Sequence, residues 1–203
     1  GYGGGSDHGG SLRIPASYCG VVGYRATPGV VPHEGRAVTQ TFYSVQGPMA
    51  RTVEDTALLL SVIAGRTRLD PMAFPLDTAA LARLDPVNVG DLRIGLSEDL
   101  GGLLVSSTIR RTFRDRAQRL ERIVGSMHEP TVDLRAAPGV DWRIRSDLFV
   151  AQYGRDADGW DDDFNPNIRQ SYESAMTTPM ADIAAARRTQ MELYQQFQAI
   201  FDH

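Results

Sequence analysis

The stretch GSDHGGSLRIPASYCG, residues 5 to 20, gathers the residue types that serine-based acyl transfer needs. A serine hydroxyl is a weak nucleophile at neutral pH and requires a base to take its proton. The carbonyl it attacks becomes an oxyanion, which requires prearranged donors, often backbone N–H groups. Here Gly9 and Gly10 directly precede Ser11. Glycine lets the main chain adopt awkward dihedrals and lets a substrate approach closely. The N–H groups of His8, Gly9, Gly10 and Ser11 can therefore converge on one point. An ordinary glycine turn before a serine has the same spacing, so these residues alone do not choose between the two.

The longer string GSDHGGSLRIPASYCGVVGYRATPG, residues 5 to 29, is more specific. It resembles the amidase signature family, whose hallmark is G-[ST]-D-x-G-G-S-[IL]-R-x-P-[AS]. Gly5, Ser6, Asp7, Gly9, Gly10, Ser11, Leu12, Arg13, Pro15 and Ala16 all fit it. Farther on, GPMARTVEDTALLLSVIAG (47–65) is similar to the family's next recurrent segment. After about residue 100 the resemblance rests on general pattern.

The resemblance implies that Ser11 is the acyl-accepting nucleophile and that the N–H groups of His8, Gly9 and Gly10 form the oxyanion hole. It makes Asp7 and Arg13 supporting residues whose opposite charges hold the loop; a purely structural salt bridge is the competing reading. It also implies a base made of a lysine and a second serine on a cis peptide, both upstream of the signature. All 21 basic residues of the Lys+Arg count are arginine, so this lysine is not in the chain. Ser6 is too close to Ser11 to be the bridging serine. The implied chemistry is hydrolysis of a small carboxylic amide without metal or organic cofactor. The 203 residues alone are expected to be inactive.

Two other functions stay open. One is an amidotransferase subunit that liberates ammonia from glutamine. Its tRNA-dependent members commonly carry glutamine between the signature arginine and proline, where this chain has Ile14. The other is a non-catalytic fragment of the same fold that binds a partner.

Other candidates carry less. A Ser–His dyad through His8 competes with a variable position that contributes its backbone and borders the pocket. His33, His128 and His203 are isolated and lack metal-ligand spacing. Cys19 lies in an apolar run and reads as a small core residue. Asp161, Asp162 and Asp163 read as a solvated acidic loop. Trp142, Tyr153, Trp160, Phe164 and Tyr172 read as helix-packing aromatics, one or two of them near the substrate.

Composition limits the remaining classes. Hydrophobic residues make up 42% and charged residues 23%, ordinary for a globular protein. A net charge of −4 offers no footprint for nucleic acid. No apolar run approaches a membrane span. One cysteine cannot form an intrachain disulfide, which points to a reducing cytoplasm.

The elements that must position Ser11 follow from pattern. Residues 1–17 read as a turn-rich loop, 18–25 as a short buried strand, and 26–37 as loop. A strand is expected at 41–45, ended by a Gly47-Pro48 turn. RTVEDTALLLSVIAG (51–65) is a helix with capping-box spacing between Thr52 and Asp55, and Gly65 as its stop. Residues 66–91 are irregular, 92–99 a strand, and Ser107 to Val124 a helix. On that helix Ile109, Phe113, Ala117, Leu120 and Val124 share one face, and arginines crowd the solvated other. A strand at 130–134 and helices at 141–158, 168–176 and 180–201 complete the pattern. The last has Ile183, Ala186, Leu193, Phe197 and Ile200 as its buried stripe.

The fold expected is α/β, a mixed sheet flanked by helices, forming a single amidase-signature domain fragment over 1–203 with its signature loop at 5–20. Both termini read as cut from a longer protein. The exposed edges this implies make a homodimer expected for the isolated piece.

Overall fold

The computed structural model describes residues 1–38, 41–161 and 164–202. It divides into two compact units, Gly1–Pro86 and Val87–His203.

The first unit is built on a three-stranded antiparallel sheet. β1 (Tyr2–Asp7) and β2 (Val22–Gly23) flank the central β3 (Val45–Ala50). The register places Tyr2 and Val22 on either side of Ala50, and Gly5 opposite Gly47. β1 overturns the expected loop: a run of three glycines has poor strand propensity, but pairing with β3 along its whole length decides its conformation. The glycines are needed for packing. Leu12, wholly buried, lies over the Gly5–Gly47 pair, and a Cβ on Gly47 would meet its Cδ1 at 2.8 Å and collide with the Tyr24 carbonyl.

Two other local expectations shift. The run at 18–25 is divided, because α1 (Arg13–Cys19) takes its first residues and Gly20, at φ 64°, ends that helix in the left-handed region. Only Val22–Gly23 remain as strand. Since α1 buries Ala16 alone, Cys19 is exposed rather than a core residue. The strand expected at 41–45 is displaced to Val45–Ala50, and Gly47-Pro48 lies inside it instead of forming a turn. Pro48 is tolerated because its carbonyl faces Tyr24, whose N–H it accepts at 3.0 Å, just beyond the end of β2. The nitrogen without hydrogen therefore interrupts no β2–β3 pair.

α2 (Val53–Ile63) follows as expected. Thr52 Oγ1 accepts the Asp55 N–H at 3.1 Å, which satisfies one of the orphan donors of the first turn. Leu60 of α2 packs with Ala26 and Val31, supported by Val30, Ile63 and Leu81. Leu81 comes from the short α3 (Thr78–Leu81) in the otherwise irregular stretch.

The loops of this unit are tied by a buried ion pair. Arg36 donates through Nε and Nη2 to the two carboxylate oxygens of Asp70, each at 3.1 Å, and both side chains are almost fully buried. The carboxylate also accepts the N–H groups of His33 (2.8 Å) and Met72 (2.9 Å). Arg36 Nη1 reaches the carbonyls of Thr41 and Ser44.

The second unit begins with a parallel pair, β4 (Arg93–Gly95) and β5 (Ser126–His128), joined through α4 (Ser107–Leu120) as a βαβ crossover. The expected strand at 130–134 is irregular, and its place is taken by 126–128. On α4, Arg110 and Arg114 both bind Glu98 and hold its carboxyl below its ordinary range, so part of the arginine face is ion-paired rather than merely solvated. Three longer helices follow: α5 (Ala137–Tyr153), α6 (Pro166–Met176) and α7 (Met180–Gln198). Val140 and Ile144 of α5, Ala175 of α6, and Ile183 and Ala186 of α7 are buried, and Arg187–Asp147 at 2.7 Å links α7 to α5. Phe197, at the end of the expected stripe, is exposed.

Trp160 stacks on Phe164 at 4.1 Å and meets Tyr172 and Tyr153 edge-on, so these aromatics do pack helix ends. Trp142 is partly exposed on α5. Asp161 is exposed; Asp162, Asp163 and His203 lie outside the described residues. No helix among those residues is long and apolar enough to cross a membrane.

The Arg36–Asp70 pair predicts the acid behaviour of the first unit. Burial raises the Asp70 pKa, but Arg36 and the His33 and Met72 N–H groups outweigh it and hold the group at about 2, from an ordinary 3.8. A lowered folded-state pKa contributes stability that is complete above the unfolded value and is lost as pH falls through the folded one. Unfolding free energy is therefore expected to fall as pH drops from about 4 towards 2, and much less so in Asp70→Asn. Arg36→Ala, which strands the buried carboxylate, is expected to cost about 3–5 kcal/mol in a urea titration.

Candidate active site

The site is built where β1 runs into α1. Asp7, the last residue of β1, is fully buried and gathers the chain that follows it. Its Oδ1 accepts the Gly10 N–H at 2.9 Å, and its Oδ2 accepts those of Leu12 (3.3 Å) and Arg13 (3.4 Å). The guanidinium of Arg13 closes on the same group as a fork, Nε to Oδ2 at 2.9 Å and Nη2 to Oδ1 at 3.0 Å. The Arg13 bonds, helped by the Gly10 and Leu12 N–H groups, hold the Asp7 carboxyl far below the usual carboxylate range against the opposing effect of burial. Asp7 in turn raises the pKa of Arg13.

These bonds bracket Ser11. The residues on both sides of it are pinned to one carboxylate, Leu12 is sunk into the core, and Ser11 itself is exposed. The turn needs glycine at position 10: φ is 115°, and a Cβ there would lie 2.7 Å from Ile14 Cδ1. The Gly10 carbonyl accepts the Ile14 N–H at 2.7 Å and so starts the turn that becomes α1.

The structure thus brings Asp7, His8, Gly9, Gly10, Ser11 and Arg13 into one turn. The Gly10 N–H, expected to point at an oxyanion, is directed at Asp7 instead. His8 is half-buried, and its ring stacks on Tyr43 at 5.2 Å with 18° between the planes.

Two residues at the site went unremarked in the sequence. Arg25 Nη1 donates to the Asp7 carbonyl at 2.5 Å and the Tyr43 carbonyl at 2.9 Å, and Nη2 donates to the Phe42 carbonyl at 2.9 Å. Tyr43 supplies the ring against His8. The available signal for Arg25 was its place at the end of the apolar run 18–25, where a charged side chain needs partners.

The chain has relatives among known proteins in both sequence and fold. A glutamyl-tRNA(Gln) amidotransferase subunit from Salinibacter ruber is 35% identical over 147 residues, which are 72% of this chain and 28% of the relative. Among solved structures, a bacterial aryl acylamidase of the amidase signature family superposes with a TM-score of 0.80 at 22% identity, covering 100% of this chain and 44% of that one. A 6-aminohexanoate cyclic dimer hydrolase superposes with a TM-score of 0.76 at 21% identity, over 99% of this chain and 44% of that one. The chain therefore shares their fold and spans less than half the length of these relatives.

If Asp7 holds the turn, Asp7→Asn should lower stability by about 2–3 kcal/mol in denaturant unfolding, less than a fully buried pair because Arg13 is half exposed. The neighbouring exposed Ser6→Ala should change it by less than about 0.5 kcal/mol. The family model for Amidase matches residues 2–195, through the signature turn and both units, and the chain belongs to that family.

Proposed function

We propose that Ser11 is the nucleophile of an amide hydrolase. The observation that carries this reading is an exposed hydroxyl residue on a turn whose flanking N–H groups are fastened from below by Asp7. Such a turn presents the side chain outward while holding its backbone still, the preorganisation that acyl transfer requires.

In this reading Ser11 Oγ attacks the amide carbonyl as its proton passes to a base. The oxyanion is received by main-chain donors of the His8–Gly9–Gly10 run. The Gly10 N–H is bonded to the Asp7 carboxylate. Asp7 and Arg13 support the turn. The tetrahedral intermediate collapses with cleavage of the C–N bond, the amine leaves with a proton, and water then hydrolyses the acyl-serine. The base is a lysine relayed through a second serine, and the 203 residues hold no lysine. The complete activity therefore draws on polypeptide beyond them. Both units count as parts of one amidase-signature domain, because the family match runs through both. The single cysteine fits a reducing, cytoplasmic setting.

A second reading is favoured by one observation: the Salinibacter ruber relative belongs to a glutamyl-tRNA(Gln) amidotransferase. Ammonia released from glutamine and coupled to an acceptor would support it over simple hydrolysis of small amides. Ile14 between Arg13 and Pro15 weighs the other way.

In the protein as its gene encodes it, a fluorophosphonate should label Ser11. Ser11→Ala should abolish labelling and lower hydrolysis at least about a thousandfold. The 203 residues alone should hydrolyse amides no faster than background. Label on another residue with Ser11 untouched would refute the assignment. Because β1 is a sheet edge, the isolated chain should also self-associate, eluting as a dimer at high concentration in size-exclusion chromatography.

A further inference from the structure

We infer that Arg25 is a positioning residue for the oxyanion hole, acting through the peptide group that joins Asp7 to His8. This rests on the Ser11 reading above and adds a part to it.

The Asp7 carbonyl and the His8 N–H belong to one planar amide. Arg25 Nη1 donates to that carbonyl at 2.5 Å, on the opposite end of the amide from the N–H assigned to the oxyanion. A charge-assisted bond to the carbonyl draws electron density towards oxygen and makes the N–H a stronger donor. It also fixes the rotation of the amide plane, and with it the direction of the N–H.

The same guanidinium reaches the carbonyls of Tyr43 and Phe42, each at 2.9 Å. The amide is thereby cross-linked to the loop that carries the Tyr43 ring against His8. The charge of Arg25 is not cancelled locally. Asp7 is the carboxylate facing it, at 3.4 Å, and Asp7 is already held by the closer fork of Arg13. Two guanidiniums face this one carboxylate, and their surplus positive charge lies behind the turn that presents Ser11, where it favours the anionic transition state.

The test uses the protein as its gene encodes it, with 4-nitroacetanilide as substrate. Arg25→Met should lower kcat by about tenfold to a hundredfold, with KM changed less than about twofold. Phenylboronic acid reports on the anionic state directly. Boron forms a bond to Ser11 Oγ, the hydroxyl proton passes to the base, and the adduct carries a negative charge. Its inhibition constant should rise by the same factor as kcat falls. Arg25→Lys, which keeps a charged donor, should return kcat to within about threefold of the parent. Should Arg25→Met fail to fold, Arg25→Gln decides, since it keeps a neutral donor and loses the charge; at least a tenfold loss is expected.

An unchanged kcat in a folded Arg25→Met or Arg25→Gln variant would overturn the inference. So would a loss confined to KM, which marks lost ground-state binding rather than lost stabilisation of the transition state. Hydrolysis that survives Ser11→Ala would overturn the underlying reading and this one with it. Ser11 dependence combined with indifference to Arg25 would overturn this one alone.

Discussion

The first unit turns on one carboxylate. Asp7 sits at the end of a strand, out of water, where an unpaired charge would be prohibitively costly. The chain meets that demand locally by folding its next six residues back over the carboxylate, so that main-chain N–H groups and the Arg13 fork supply the bonds. Satisfaction of a buried charge and presentation of Ser11 are thus the same event. The turn has little freedom to adopt another shape without exposing that charge to an apolar surround.

Glycine makes room for this arrangement. Gly5 and Gly47 face each other across β1 and β3, and the absence of their side chains leaves the space that Leu12 fills. Leu12 anchors the residue after Ser11 from the apolar side while Asp7 anchors it from the polar side. Arg36 and Asp70 repeat the logic elsewhere in the unit, with one buried carboxylate collecting two main-chain N–H groups and a guanidinium fork. Loops that carry little secondary structure are held in both cases by charge that has nowhere else to go.

The longer helices were legible from the sequence because their signals are local, whereas the short α1 and α3 were not. Thr52 caps α2 as its spacing with Asp55 requires, and α4, α6 and α7 fall close to their periodic patterns. Strands β1 and β3 were not legible, because a strand is defined by its partner, although β4 falls inside the strand expected at 92–99. GGG in β1 reads as a turn until β3 is alongside it, and Gly47-Pro48 reads as a turn until β2 is seen to stop at Gly23. The signature residues were found by resemblance, and the Asp7–Arg13 contact followed from their charges. Arg25 escaped notice because its ligands are carbonyls, which carry no side-chain signature in a sequence.

A chain whose side-chain cations are all guanidiniums also has a distinctive titration curve. Lysine loses its proton near pH 10.4, whereas arginine keeps it beyond about pH 12. The ion pairs at Asp7, Asp70, Glu98 and Asp147 each have an arginine as the basic member. A guanidinium keeps its charge in alkaline solution that would neutralise a lysine.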